Sequence, residues 1–330
     1  MSYKPIHTLE ELQKYLTGAS LVALDFETSP DEKCRKEEKA SLDAHKSHIV
    51  GISFSVAEGN GVYLPLAHRS GQNAIDPEAI WEWLAGFFAD PVITKIAHNL
   101  AFESAFLYAR GIVIQEPIYD TIAAVHLIYK NEKEFRTLGD CGLKTLVEEY
   151  FHELLPSYAD TVGGLHFDEL DPTAEATVRY ACADADYTLR LYHLLNNWFD
   201  RFLPKHRYIV EKAESPTAVY VGLMRYNGLP IDRTLMEAKR KEAELRLSQL
   251  KYEIGFIIGD IPIGANASTA VFKRYLFDTL KLPKMKLTAK DKDALDDEAI
   301  ILLKEWCANK PPRTGTVIRI RARIPPLGKD

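Results

Sequence analysis

The early part of the chain contains short apolar segments with the two-residue period of β-strands. LVALDFE (21–27), an apolar run that ends in two acidic residues, predicts a buried strand, and HIVGISFSV (48–56) alternates apolar and polar residues. The pattern resumes in GVYLPLA (61–67) after a Gly-Asn-Gly turn (59–61). Two such runs joined by a glycine-rich turn predict a β-hairpin.

Beyond residue 70 the apolar positions follow mostly the helical period. Two further strands are predicted at 92–98 (VITKIAH) and 116–120 (EPIYD). Helices are predicted at 8–16, 76–89, 101–110, 121–129, 141–151, 172–202 and 206–226. Antiparallel strands followed by strands that alternate with helices predict an α/β fold, a mixed sheet covered by helices.

A separate helical unit is predicted from Asp232 onward. TLMEAKRKEAELRLSQLKYEIG (234–255) is long, charged and rich in helix formers. The last segment differs from it, because VIRIRARI (317–324) places arginines on one face of a strand and Ile or Ala on the other. This segment could pair with the sheet edge of a partner, lie along DNA, or have no function.

The charge is distributed unevenly along the chain. The net charge of the 330 residues is −6, yet residues 232–330 contain 20 Lys and Arg against 14 Asp and Glu, a net +6 that leaves −12 for residues 1–231. The last third of the chain could therefore bind a phosphate backbone, whereas the acidic part would need bound cations to do so.

The composition also limits the cellular location. No apolar run approaches the roughly 20 residues that span a bilayer, so no membrane contact is expected. The four cysteines are far apart and form no C-x-x-C pair. They indicate free thiols in a reducing cytoplasm, with neither disulfides nor zinc ligands.

Asp25 and Glu27 end the first apolar run, just before a Ser-Pro breaker. Alone they are weak evidence for a metal site, because the same Asp-x-Glu spacing recurs at Asp76 and at Asp296. At Asp76 the sequence DPEAIWEW is typical of a helix N-cap with proline in the first turn. An acidic loop end is the alternative explanation for Asp25 and Glu27.

Three later segments strengthen the metal hypothesis. KIAHNLAFESAFL (95–107) carries Asn99 and Glu103 where a strand gives way to a helix, and IYDT (118–121) carries an aspartate that we expect to cap the following helix. In RYACADADY (179–187), Tyr180 and Asp184 are four residues apart and share a helix face, about 6 Å apart along the axis. Asp186 is expected to point to solvent or to cap a contact.

These motifs resemble the tyrosine form of the DEDD exonucleases, and more fully the proofreading domain of family A, polymerase I-like DNA polymerases. LDFET, NLAFE and YACAD match the three exonuclease motifs of that family in order, and VGISFSV, GVYLPLAH, YDT and LKTLVEEY between them match in kind. LMRYNGLPID (223–232) is similar to the hinge before the polymerase thumb, and NASTAVFKRYLFDTLKLP (266–283) to a thumb segment. The resemblance covers about residues 20–300.

The resemblance implies a ribonuclease H-like mixed sheet flanked by helices, with a C-terminal helical thumb-like segment. The expected regions are a 3′–5′ exonuclease domain (1–204), a linker helix (205–231), a partial thumb-like helical region (232–310) and a basic tail (311–330). We find no counterpart of the catalytic aspartates of the palm or of the basic fingers helix. DNA synthesis by this chain is therefore not expected.

The resemblance also implies two divalent cations, Mg²⁺ or Mn²⁺, held by carboxylates. Asp25 would bridge both ions, Glu27 and Asp184 would complete the first site, and Glu103 would serve the second. Tyr180 would hydrogen-bond and orient the attacking water. Paired ions of this kind activate water and stabilise a leaving oxygen, and Mg²⁺ requires hard oxygen ligands. Family members usually have Asp where Glu103 stands, so this chain departs from the family pattern at the ligand of the second ion.

Three further residues are candidates for substrate contact. Thr28 follows the first motif and could contact the terminal nucleotide or be a turn residue. Asn99 and Phe102 lie near the site in sequence, and Phe102 could stack on a base or belong to the core.

The leading hypothesis is a metal-dependent 3′–5′ exonuclease that removes nucleoside monophosphates from single-stranded or frayed DNA 3′ ends. Its setting would be proofreading or replication in a bacterial or phage-infected cell, as the N-terminal part of a divided polymerase or beside a separate polymerase subunit. One alternative is a ribonuclease D-like RNA exonuclease, against which the thumb-like LMRYNGLPID argues. A second is a catalytically weak subunit that binds DNA or a polymerase.

Overall fold

The computed structural model describes residues 1–131, 141–258, 270–285 and 297–309. The chain divides into two compact units, Met1–Leu229 and Pro230–Asp330. The helix predicted as a linker at 205–231 thus lies almost wholly within the first unit. The basic tail predicted at 311–330 lies outside the described residues.

A six-stranded mixed sheet forms the centre of the first unit. Its strands are β1 (Ser2–Pro5), β2 (Leu21–Pro30), β3 (Ser47–Ala57), β4 (Asn60–Pro65), β5 (Thr94–Ala97) and β6 (Ile118–Asp120). They lie in the order β1-β4-β3-β2-β5-β6. β2, β3 and β4 pair antiparallel, whereas β5 and β6 continue the sheet in parallel with β2, and β1 pairs in parallel with β4. The predicted α/β fold with a mixed sheet is confirmed.

The β3–β4 hairpin is confirmed, with Ala57 paired to Asn60 across the turn. No sequence pattern predicted β1. That strand, SYKP, is short, contains no apolar run and is only partly buried. Its position is fixed by a long-range contact, because the Tyr3 hydroxyl donates a 2.6 Å hydrogen bond to Asp186 on a distant helix.

Helices cover both faces of the sheet. In the first unit they are α1 (Leu9–Leu16), α2 (Pro77–Ala89), α3 (Leu100–Ala109), α4 (Thr121–Asn131), α5 (Leu143–Phe151), α6 (Tyr158–Val162), α7 (Glu175–Phe202), α8 (Pro204–Ile209) and α9 (Ser215–Asn227). Val22, Leu24 and Phe26 of β2 belong to the core with α1, α2 and α3. Ala23 belongs to the core with α4, α5 and α7. Because strand side chains alternate between faces, Asp25 and Glu27 share the face of Ala23, towards α7.

The helix predicted at 206–226 is divided in the structure. A π-helical segment, Val210–Glu214, joins α8 to α9. Pro216, in the first turn of α9, lacks a backbone N–H and crowds the preceding turn, which accounts for the irregular hydrogen bonding there. α9 ends at Asn227 with Gly228 as its cap.

α9 packs closely against α3 at a glycine. A Cβ built on Gly222 would lie 2.6 Å from the carbonyl oxygen of Ala101 and 2.7 Å from Cβ of Ser104. Ser215, at the other end of α9, is buried, and its hydroxyl accepts a hydrogen bond from the backbone N–H of Asp120 on β6. The start and the middle of α9 are therefore fixed to the first unit.

The described part of the second unit is helical, as predicted. It contains α10 (Arg233–Ile258), α11 (Ala270–Arg274), a π-helical turn (Tyr275–Thr279) and α12 (Asp297–Asn309). Phe277 and Leu303 form a small buried cluster within it. Segments 259–269 and 286–296 of the predicted thumb-like region lie outside the described residues.

Candidate metal and active site

Three carboxylates from two separate elements meet on the α7 face of the sheet. Asp25, Glu27 and Asp184 each offer an oxygen, and these oxygens all lie within 4.8 Å of one another. β2 supplies two of them because residues i and i+2 of a strand share a face. α7 crosses that face and supplies the third. Residues 157 positions apart in sequence are thus brought together by the packing of one helix on one strand.

The carboxylates of this cluster repel one another where water is scarce. Burial, followed by the charge of Asp184, raises the pKa of Asp25 well above its usual value. Burial, followed by the charges of Asp25 and Asp184, does the same to the pKa of Glu27. Burial raises the pKa of Asp184 to about 6. A cation bound between these groups would favour their ionised forms.

The donor set fits a hard divalent cation. Oε1 of Glu27 is buried and has no hydrogen-bond partner among the described residues. A buried polar atom without a partner is costly unless a ligand satisfies it. Carboxylate oxygens from separate elements are the ligands that Mg²⁺ and Mn²⁺ favour.

Glu103 lies near this cluster but is not one of the three mutually close groups. It is in the first turn of α3, the helix that follows the end of β5, and it is 1% exposed. Burial and then the charge of Asp25 raise its pKa well above the usual value. Its Oε2 has no hydrogen-bond partner within the described part of the chain. Glu103 therefore has the character expected of a ligand for a second ion.

Tyr180 lies one helical turn before Asp184 on the same face of α7. Its ring contacts the rings of Phe167 and Tyr158, with centroids 5.8 Å and 6.3 Å away. Burial and the charges of Glu27 and Asp184 raise the pKa of Tyr180 above its usual range. The phenol consequently keeps its proton at neutral pH, and it can orient a water molecule without acting as a base.

Lys144 is a functional candidate that the sequence interpretation missed. It lies on α5, and its Nζ donates to the carbonyl oxygen of Pro156 (2.7 Å) and to the hydroxyl of Tyr180 (3.3 Å). Its charge lowers the pKa of Asp25, Glu27 and Asp184, opposing the effect of burial. The segment LKTLVEEY resembles the family, but one lysine among many has no characteristic spacing that would predict a functional role.

The three candidate substrate residues differ in their surroundings. Thr28 is buried, and its hydroxyl donates a 2.7 Å hydrogen bond to the carbonyl oxygen of Ser41. Asn99 is the N-cap residue of α3 and has a left-handed backbone (φ 79°). Phe102 is half-buried, with its ring 4.8 Å from that of Phe106. Their roles in substrate binding stay predictions.

Asp120 caps two helices. Its carboxylate accepts hydrogen bonds from Ile122 N–H at the start of α4, as predicted. It also accepts from Asn99 N–H and Leu100 N–H at the start of α3. Asp120 therefore fixes the helix turn that carries Glu103, a role that the sequence did not reveal.

Of the two expectations for Asp186, exposure to solvent is wrong, and the capping of a contact is confirmed. Its side chain is fully buried and accepts hydrogen bonds from the Tyr3 hydroxyl, the Gly59 N–H and the Arg190 guanidinium. Asp186 faces β1 and the β3–β4 turn, and β1 was not predicted.

None of the helices within the described ranges has both the length and the apolar character required to cross a membrane.

The helical N-cap predicted at Asp76 is confirmed, since its carboxylate accepts a hydrogen bond from Ala79 N–H and Pro77 begins α2. The Asp-x-Glu pair at Asp76 is thus structural, whereas Asp25 and Glu27 belong to the carboxylate cluster.

The site and fold together define a nuclease of the carboxylate type, and comparison with known proteins supports this class. A family model described as 3′–5′ exonuclease matches residues 3–200. DNA polymerase I of Pseudomonas aeruginosa is 24% identical over 301 residues, covering 88% of this chain and 30% of that protein. The chain thus spans about a third of the length of this relative.

Solved structures share the fold. The polymerase domain of Pol1 from M. smegmatis, in complex with DNA primer-template and dNTP, has a TM-score of 0.62 at 19% identity over 91% of this chain and 44% of that chain. Brucella melitensis NrnC has a TM-score of 0.50 at 21% identity over 70% of this chain and 98% of that chain.

The chain belongs to the 3′–5′ exonuclease family, and its predicted resemblance to the exonuclease domain of polymerase I-like enzymes is confirmed. The family match ends within α7, so the helices that follow are outside it.

Proposed function

We propose that this chain is a metal-dependent 3′–5′ exonuclease that releases nucleoside monophosphates from single-stranded or frayed DNA 3′ ends. The observation that carries the proposal is the convergence of Asp25, Glu27 and Asp184, with their oxygens within 4.8 Å of one another. Membership of the exonuclease family supports the same reaction.

Four carboxylates have proposed roles in holding two divalent cations, Mg²⁺ or Mn²⁺. Asp25, Glu27 and Asp184 would hold the first, and Glu103 would hold the second together with Asp25. When bound, such ions supply an activated water and stabilise the charge on the leaving oxygen. The raised pKa values support this role, because protons and cations compete for the same buried oxygens.

Tyr180 and Lys144 act beside the carboxylates. The Tyr180 hydroxyl accepts a hydrogen bond from Lys144, which leaves its own proton available for donation to the attacking water. This contact orients the water for in-line attack on the terminal phosphodiester. The Lys144 charge keeps the cluster closer to the ionised state that binds cations.

The proposed substrate path passes the later part of β2 and the end of β5. Thr28 lies in the later part of β2, and Asn99 and Phe102 follow the end of β5. Their proposed role is to position the terminal nucleotide. The proposed setting is the cytoplasm of a bacterial or phage-infected cell, in proofreading or another replication-associated role, with a separate polymerase subunit as partner.

A labelled oligonucleotide tests the proposal. A 5′-labelled single strand incubated with Mg²⁺ or Mn²⁺ should shorten one nucleotide at a time from its 3′ end, and Asp25→Ala should abolish this. Asp76→Ala is the matched control, because it removes an aspartate from the same motif outside the site. Intact substrate with both metals and a folded protein would contradict the proposal and favour a binding subunit. The same sequence as RNA separates a DNA exonuclease from an RNA exonuclease.

A further inference from the structure

A cavity opens beside the start of α3. Its volume is about 400 Å³, within the roughly 300–1,000 Å³ of small-ligand sites. The segment before β3 forms one wall, α3 the floor and the end of α9 the other wall. The residues that carry the argument are His45, Ala101, Phe102, Arg225 and Tyr226.

Two aromatic rings form a platform at this cavity. The rings of His45 and Tyr226 are stacked, with centroids 4.2 Å apart and an angle of 20° between their planes. Nε2 of His45 lies 2.6 Å from the carbonyl oxygen of Tyr226. Tyr226 also makes an edge contact with Tyr108, at 5.3 Å between centroids. The stack is therefore held in place before any ligand binds.

The polar groups of the platform suit a nucleotide. A carbonyl oxygen only accepts, so Nε2 of His45 carries a proton. Nδ1 then remains as an acceptor in the neutral ring, without a hydrogen-bond partner among the described residues. Arg225 is exposed and forms no ion pair within the described part of the chain. The one acidic group in the lining, Asp43, accepts a hydrogen bond from His45 N–H and lies 3.9 Å from Lys46.

The cavity and the carboxylate site share α3. Phe102 lines the cavity, and the next residue, Glu103, is buried in the field of Asp25. Consecutive helix residues point about 100° apart, so the two side chains face adjoining regions. The close contact at Gly222 fixes α9, and with it Arg225 and Tyr226, against α3.

We propose that this cavity binds an unpaired base close to the 3′ end of the substrate strand, stacked on the His45–Tyr226 platform, with a phosphate facing Arg225. The inference rests on the proposed exonuclease function and extends it. Stacking uses the π-face that every base possesses, so little sequence preference is expected. An arginine beside the stack attracts the backbone in a salt-dependent way.

Abasic substitution tests the stack directly. The anisotropy of a 5′-fluorescent single strand in EDTA measures binding without hydrolysis, and one abasic position is moved through the last four nucleotides. Wild-type protein should lose about tenfold in affinity at one position. The His45→Ala variant should bind the intact strand about tenfold more weakly than wild-type protein does. Its affinity should not fall further when that one position is made abasic.

His193→Ala is the matched control, since His193 is also exposed and touches a tyrosine ring but does not line the cavity. It should behave as wild type. Circular dichroism should first show that His45→Ala and Tyr226→Leu are folded. If each abasic position then lowers their affinity by the same factor as it lowers that of wild type, the cavity does not hold a base.

The salt dependence tests the arginine. Arg225→Ala should reduce the slope of log K against log salt by about 0.7, the value for one phosphate of a single strand. Arg201→Ala, which removes another exposed arginine of the first unit, should leave the slope unchanged. Equal slopes for wild type and Arg225→Ala would overturn the arginine assignment.

A substrate without upstream nucleotides separates this inference from the proposed function. Thymidine 5′-(p-nitrophenyl phosphate) reports phosphodiester hydrolysis by wild-type protein with Mn²⁺. If neither this ester nor the oligonucleotide is cleaved, the proposed function fails, whereas the abasic binding series still decides whether the cavity holds a base.

Discussion

The ammonium group of Lys144 lies 3.3 Å from the hydroxyl oxygen of Tyr180 and 4.4 Å from the centroid of its ring. The two residues come from different helices, α5 and α7, and meet beside the three carboxylates. Lys144 carries the positive charge that opposes the repulsion among the carboxylates. Its contact links this charge to the Tyr180 phenol, which is proposed to orient water. A change in either residue should therefore alter the pH at which the site functions.

Replacing Lys144 by Met should shift the onset of activity to higher pH. The Lys144 charge lowers the pKa of Asp25, Glu27 and Asp184. Without it these pKa values rise, and protons compete with cations up to a higher pH. We expect the midpoint of the rate–pH profile with Mg²⁺ to increase by about one unit. Lys144→Arg keeps the charge and should largely restore the profile, and identical profiles for wild type and Met variant would contradict the assigned role.

The fold itself was largely predictable because its signals are local. The alternation in β3 and β4 and the glycine-rich turn specified the hairpin, and the period of α7 placed Tyr180 and Asp184 on one face. β1 carries no such signal. It exists because β4 offers an edge and because Asp186, buried on α7, accepts from Tyr3.

The carboxylate cluster was predictable because its residues belong to motifs that occur in a fixed order along the chain. Asp25, Glu27 and Asp184 converge as expected, and Glu103 lies nearby. Lys144 could not be identified in the same way, because its role depends on how α5 packs against α7. The platform of His45 and Tyr226 likewise joins residues 181 positions apart, which no local pattern specifies.

Asp25→Asn should stabilise the metal-free protein at neutral pH. The folded-state pKa values in the cluster lie above their unfolded values, so these groups destabilise the fold once they ionise. This penalty is absent below about pH 4 and grows as pH rises through the folded pKa values, which for Asp184 is about 6. Removal of one charge should add about 1–2 kcal/mol to the free energy of unfolding in EDTA at pH 7.5, measured by urea denaturation.

Bound cations should make wild-type protein more stable than the Asp25→Asn variant, the reverse of the order in EDTA. A hundredfold excess of Mn²⁺ over its dissociation constant should stabilise wild-type protein by about 2.7 kcal/mol, and the Asp25→Asn variant by much less. Asp76→Ala is the control, and it should gain as much from Mn²⁺ as wild type despite losing a helix cap. An equal gain for Asp25→Asn would show that the bound ion does not depend on Asp25.

The rate of hydrolysis should depend more on the negative charge of Glu103 than on the length of its side chain. The side chain is buried beside Asp25 with one oxygen unpartnered among the described residues. We expect Glu103→Gln to reduce the rate of oligonucleotide hydrolysis about 100-fold. Glu103→Asp keeps the charge and should remain within about tenfold of wild type, since a helix start absorbs a change of one methylene. Initial rates with Mg²⁺ and Mn²⁺ measure both, and equal rates for wild type and Glu103→Gln would remove this residue from the metal site.

The packing of α9 on α3 should tolerate no side chain at Gly222. A methyl group there would lie 2.6 Å from Ala101 O and 2.7 Å from Cβ of Ser104, so the helices would have to separate. Gly222→Ala should lower the free energy of unfolding by about 1–3 kcal/mol, measured by urea denaturation. Gly86 in α2 is the matched control, because a Cβ there would meet nothing within 4 Å. Gly86→Ala should stabilise the protein by up to about 1 kcal/mol, since alanine is the better helix former. If both substitutions changed stability equally, the close approach of α9 to α3 would not be a feature of the protein in solution.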